Sequence, residues 1–300
     1  MVSVLNVVSL VVAFGAVLVS AGQPTREAIL NPPQLTISAP PELKAAATRV
    51  ARYDATRLGN IMRLVGLTDA GPAIAVLLAT EDSELARQTP SWIAGFADSR
   101  ADLIVLFPAR APTYPYDSME ELLHHEVAHI LIARAAAGAE VPRWFHEGLA
   151  MAAERTWRLA DHRQLAGAIV GRRYAIDQLD AEFDAGADRA ARAYGVAGAF
   201  VRDLLRRHGP ALPAGILSGL ASGERFDQAF STSAGTSLAD AERVFWRYSW
   251  WNQLIPFVTS TLVIWLGIMG LAAYAVRRRR QHRAALREMW NREDEAEPFG

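Results

Sequence analysis

Three of the chain's seven histidines stand within six residues, in Leu122-Leu123-His124-His125-Glu126-Val127-Ala128-His129. Buried imidazole is costly unless it is hydrogen-bonded or bound to a metal, so such a cluster on an apolar stretch demands partners. His125, Glu126 and His129 complete the pattern H-E-x-x-H. Residues four apart share a helix face, so imidazoles at 125 and 129 can reach one zinc ion. Glu126 sits one residue round, where it can polarise a water at the metal without being a ligand. His124 is turned about 100° from His125 and is assigned to packing or to a hydrogen bond behind the site. The plainer reading is a pair of satisfied core histidines; the helical setting favours zinc.

The flanking residues predict that helix. Ser118 followed by Glu121 fits a capping box, and Gly138 suits a stop. A catalytic zinc takes a third protein ligand and leaves one position open. No third histidine follows at the H-x-x-G-x-x-H spacing, because Ile130–Ala135 reads ILIARA. The next candidate stretch is VPRWFHEGLAMAAERTW, from Val141. Pro142 suits a first helical turn, which puts His146 and Glu147 on a second helix. Glu147, 18 residues after His129, competes with His146 for the third position. A solvated charge is the default reading of a lone glutamate. Gly148 leaves room for the two helices to pack closely.

Other elements must position these two. QLTIS (34–38), AIAVLLAT (73–80) and DLIVLF (102–107) read as strands, short and β-branched or apolar. Glu42–Val65 has helical periodicity ended by Gly66. Gly95, in WIAGFAD, marks a turn or bulge in an intervening strand. From Ser118 onward the patterns are helical, including ADRAARAYGVAGAFVRDLLRRHG (187–209) and SLADAERVFWRYSW (237–250). Strands first and helices second predict an α+β fold with a small N-terminal sheet and a helical C-terminal half.

Composition narrows the function classes. The 300 residues are 51% hydrophobic with net charge −1, which gives no reason to expect a nucleic-acid partner. The absence of cysteine excludes disulfides and thiolate metal sites. Lys44 is the one lysine among 31 basic residues, a bias expected of a GC-rich bacterial genome. Residues 1–22 resemble a signal peptide, or an uncleaved anchor, since the first charged side chain is Arg26. A linker is expected over 23–34 and the main domain over 35–250. Leu254–Val276 carries no charge and is followed by Arg277–Arg280, which predicts a transmembrane helix, an extracytoplasmic domain and a cytoplasmic tail at 277–300.

HEVAH followed by PRWFHEGLA resembles the gluzincin metallopeptidases, and most closely the peptidase MA-like family, whose members pair H-E-x-x-H with a later P-x-W-x-x-E-G-x-A. The likeness covers roughly Leu35–Arg247. The resemblance implies a zincin-like domain binding Zn2+ through His125, His129 and Glu147, with Glu126 as general base and a peptide or protein substrate. It also implies a tyrosine donor from a downstream helix, for which Tyr194 is the candidate and His162 and His208 are rivals. In the family an acidic residue four positions after the ligand glutamate orients a zinc histidine; here that position is Met151, and Glu154 is the substitute on the same helix face. DLIVLF, just before the zinc helix, is expected to present the edge on which an extended peptide pairs.

Together these features predict a membrane-anchored zinc metallopeptidase. The alternative is a non-catalytic membrane-anchored binding or scaffold protein on the same fold, for which Glu126 would have no chemical use. An intramembrane protease is excluded, because Glu120, Glu121 and Arg134 flank the motif and no span surrounds it.

Overall fold

A computed structural model describes residues 30–112, 114–154, 160–161, 164–165, 175–249 and 255–296. The expected signal or anchor segment at 1–22 lies outside the described residues. The short apolar runs form the strands β1 (Leu35–Ser38), β2 (Ile74–Leu78), β3 (Gly95–Asp98) and β4 (Leu103–Leu106). They make one mixed sheet in the order β1-β2-β4-β3. β1, β2 and β4 run parallel, and β3 pairs antiparallel with β4 in the register Gly95↔Leu106 to Asp98↔Leu103. Alternation decides the buried face of β2, where Ile74, Val76 and Leu78 turn inward.

DLIVLF is therefore not an edge. Its strand, β4, is paired on both sides, and the edge next to the histidine-bearing helix is β3. Gly95 opens that strand instead of bulging it. A Cβ there would lie 2.8 Å from Leu106 Cδ2 and 3.1 Å from the Val105 carbonyl oxygen, so only glycine lets β3 start this close to β4.

The helical stretch predicted over 42–65 is broken into α1 (Lys44–Ala51) and α2 (Gly59–Val65). Asp54 interrupts it by accepting a hydrogen bond from the Thr56 amide and starting a tight turn. Gly66 ends α2 in the left-handed conformation at φ 78°. After α3 (Glu84–Gln88) comes α4 (Met119–Ala135), the histidine helix. Its cap is the predicted one: Ser118 Oγ accepts from the Glu121 amide at 3.1 Å. Glu121 Oε2 reaches back to accept from the Asp117 amide at 2.8 Å. The helix stops short of Gly138, which is left-handed at φ 77°.

The chain continues through α5 (Arg143–Glu154), α6 (Leu179–Glu182), α7 (Ala187–His208), α8 (Leu212–Ala221), α9 (Phe226–Ala234) and α10 (Leu238–Ser249). Sheet in front and helices behind reproduce the predicted two-part layout. α4 lies between them, against β3 and β4 on one side and α2 and α5 on the other. Leu122, Leu123, Val127, Ala128, Ile130, Leu131 and Ile132 are all fully buried, which is why the helix reads as apolar all round.

The membrane-spanning part of the expected fold is corrected. Among the described residues no helix is long and apolar enough to cross a membrane. The C-terminal segment is one 42-residue helix, α11 (Ile255–Ala296), and it carries Arg277–Arg280 inside it. The single-pass topology, the membrane as partner, the extracytoplasmic placement and the cytoplasmic tail all rested on that span and fall with it.

Candidate metal centre

Local geometry accounts for two of the three expected ligands. His125 and His129 lie one helical turn apart on α4, with ring centroids 4.5 Å apart and planes nearly perpendicular. The third is delivered by α5. The Pro142 carbonyl accepts from the Phe145 and His146 amides at 3.0 Å, so proline opens the helix as predicted. The cap itself comes from α6, where Asp180 accepts from the Trp144 amide at 2.8 Å and the Arg143 amide at 3.1 Å. Trp144 and Phe145 anchor α5 in a buried aromatic cluster with Phe200 and Phe226.

Gly148 does allow close packing, but against α7 instead of α4. A Cβ at 148 would stand 2.5 Å from the Ala197 carbonyl oxygen and 2.6 Å from Val201 Cγ2. α5 thus presses on α7 at the residue next to Glu147 and turns the carboxylate toward the histidines.

The result is a compact donor set. One donor atom each from His125, His129 and Glu147 lies within 4.8 Å of the others. Glu147 Oε2 is 3.1 Å from His125 Nε2 and 3.3 Å from His129 Nε2. Two ligands each about 2.0–2.1 Å from a tetrahedral zinc stand about 3.3 Å apart, close to the two separations of Glu147 from the histidines. Burial alone would push the Glu147 carboxyl upward; His129 beside it, and the hydrogen bonds with both histidines, hold it well below its usual 4.5. It is therefore the anion a metal needs.

The other expected residues separate clearly. Glu126 is buried and lines the same cleft of about 260 Å3 as His129, Glu147 and Tyr194. Tyr194, on α7, is hydrogen-bonded to Tyr116, and burial together with the charges of Glu147 and Glu126 raises its hydroxyl well above 10. His208 closes the far end of α7 and is not among the cleft's lining residues. His162 and the side chain of Glu154 lie outside the described residues. His124 is no ligand: it is buried and joined to Tyr53 through its Nδ1 at 2.6 Å. Burial, then the charges of Arg57 and His125, push its ring down to about 4.

Three further cleft residues were not foreseen as such. Tyr116 packs edge-on to His125 with centroids 5.0 Å apart. Arg143 lies 3.7 Å from Glu147 through Nε and holds both Asp184 oxygens at 2.8 Å. Its spacing from Glu147, one turn on α5, was a usable signal. His146, weighed as a rival ligand, instead stacks on His129, with centroids 4.6 Å apart and planes inclined by 11°. Tyr116, Arg143 and Tyr194 also line an adjoining cavity of about 280 Å3 whose walls include Trp92 and Phe183.

The family model described as the peptidase MA superfamily matches residues 82–252, a span that takes in β3, β4, the ligand helices and α7. No curated protein matches the chain.

Proposed function

The chain belongs to the peptidase MA superfamily, and from that premise we propose that it is a zinc-dependent peptidase whose ion is held by His125, His129 and Glu147. The observation that carries this reading is the convergence of three donor atoms within 4.8 Å around an acidic cleft residue that is not a donor. When bound, zinc supplies Lewis-acid polarisation of a peptide carbonyl and acidifies water at neutral pH. Glu126 takes a proton from the attacking water and delivers it to the departing amine. Tyr194 remains protonated throughout the neutral range and offers its hydroxyl to the oxygen on which charge develops. Tyr116, hydrogen-bonded to it, fixes where that hydroxyl points.

Substrate would lie along β3. Gly95, Phe96 and Ala97 of this edge strand line the cleft, so an extended peptide can add to the sheet through backbone hydrogen bonds and pass the ligands. A purely binding protein would need neither Glu126 nor a protonated tyrosine in that place.

The test is hydrolysis of an unfolded protein substrate by the purified full-length chain. Cleavage should stop on chelation and return with added zinc. Glu126→Gln should lower kcat by about 10²–10⁴-fold while zinc content stays near the wild-type level. Cleavage that survives both treatments would contradict the mechanism.

A further inference from the structure

A zinc-bound histidine is usually held in orientation by a hydrogen bond from its second ring nitrogen to a carboxylate or carbonyl oxygen. His129 departs from that pattern. Its Nε2 faces Glu147, while its Nδ1 is buried and has no hydrogen-bond partner among the described residues. The position from which the resemblance predicts an orienting carboxylate is Met151, an apolar side chain that is itself buried. Among the described residues no hydrogen bond to Nδ1 stops the His129 ring from turning about its χ2 bond, a torsion with a broad, soft profile.

His146 lies where that constraint is needed. Its ring is parallel to His129 within 11° at a centroid separation of 4.6 Å, the spacing of an offset stack. It is also hydrogen-bonded to the His129 main chain, which fixes the stacked ring relative to the helix that carries its partner. Perpendicular to this stack, the His125 ring meets His129 at 86°. One neighbour lies nearly parallel to His129 and the other nearly perpendicular to it, so a turn of the His129 ring alters its packing against both. His146 immediately precedes Glu147, so the same turn of α5 that brings in the third ligand also brings the clamp. His146 lines the cleft, but stacking does not require it to touch substrate.

We propose that His146 is a positioning residue: the flat face of its ring, by stacking on His129, sets the orientation of that ligand where position 151 offers no carboxylate. This rests on the zinc reading above. The requirement is a planar ring at 146, not its nitrogen atoms.

The experiment measures the zinc dissociation constant by chelator competition for full-length wild type, His146→Phe and His146→Leu. It also measures the Tm of each protein with and without zinc. Phenylalanine keeps a flat face, whereas leucine fills similar space without one, so both variants are expected to fold. The expected result is zinc affinity within about threefold of wild type for His146→Phe, and a loss of about 10–100-fold, the usual effect of removing a ligand's support, for His146→Leu. The stabilisation by zinc should shrink in step for leucine alone. Equal affinity in leucine and wild type would overturn the proposal, as would a phenylalanine variant as weak as leucine, which would assign the role to the nitrogens. A merely structural part for His146 would lower Tm with and without zinc alike and leave the affinity unchanged. If the wild type binds no zinc, the zinc reading fails first and the inference with it; zinc bound by wild type with no difference between variants sinks the inference alone.

Discussion

The two helices that meet at the site are held in very different ways. α4 carries His125 and His129, and its part of the geometry is local: one helical turn separates the rings, and the cap at Ser118 and Glu121 comes from the helix's own sequence. α5 carries Glu147, and almost nothing that places it is local. Its amides are capped from α6 by Asp180, its glycine presses on α7, and its aromatics are buried among residues of α7 and α9. A donor set built this way has one half fixed by spacing and one half fixed by tertiary packing. Damage to the two halves should therefore look different.

The largest contrast is expected at Gly148. In Gly148→Ala the new methyl meets a main-chain oxygen at 2.5 Å, a neighbour that cannot swing away. Overpacking of this kind costs about 1–3 kcal/mol, and α5 must shift away from α7, taking Glu147 with it. Tm should fall, and zinc affinity should fall by more than the stability loss alone explains. Unchanged zinc affinity in a destabilised Gly148→Ala would show that Glu147 is placed by something other than this contact.

Asp180→Ala probes the same half more gently. Two α5 amides lose their acceptor, at a cost of about 1–2 kcal/mol, and zinc binding should weaken with it. The matching change in the other half, Ser118→Ala, should cost about 1 kcal/mol in a denaturation experiment. It should leave zinc affinity where it was, because the spacing of His125 and His129 survives fraying of the first turn. If Ser118→Ala weakened zinc as much as Asp180→Ala, the division into a local and a packed half would be lost.

The same division explains what could be read from the residues. The H-E-x-x-H spacing and the capping box each depend on a few neighbours and are found in place, while the helix ends at Ala135, before the expected stop at Gly138. β1, β2 and β4 were legible from short apolar runs, but their order was not, since pairing is decided between segments far apart in sequence. That is why DLIVLF was expected at an edge and is found inside the sheet. Gly148 was recognised as a close-packing residue and assigned to the wrong helix, because periodicity says that a face is buried without saying by what. His146 was visible only as a rival for Glu147's place; its stacking depends on the approach of α5 to α4. The span expected over 254–276 came from hydropathy and flanking arginines, and α11 instead continues through those arginines as one helix.

The central claim is that His125, His129 and Glu147 form one metal site. It is tested most directly by zinc content, measured by plasma mass spectrometry on the purified full-length chain and on Glu147→Ala, after loading with zinc and exhaustive dialysis. About one zinc per chain in the wild type, largely lost in the variant, is the predicted result. A wild type without zinc, or a variant that keeps it, would contradict the claim.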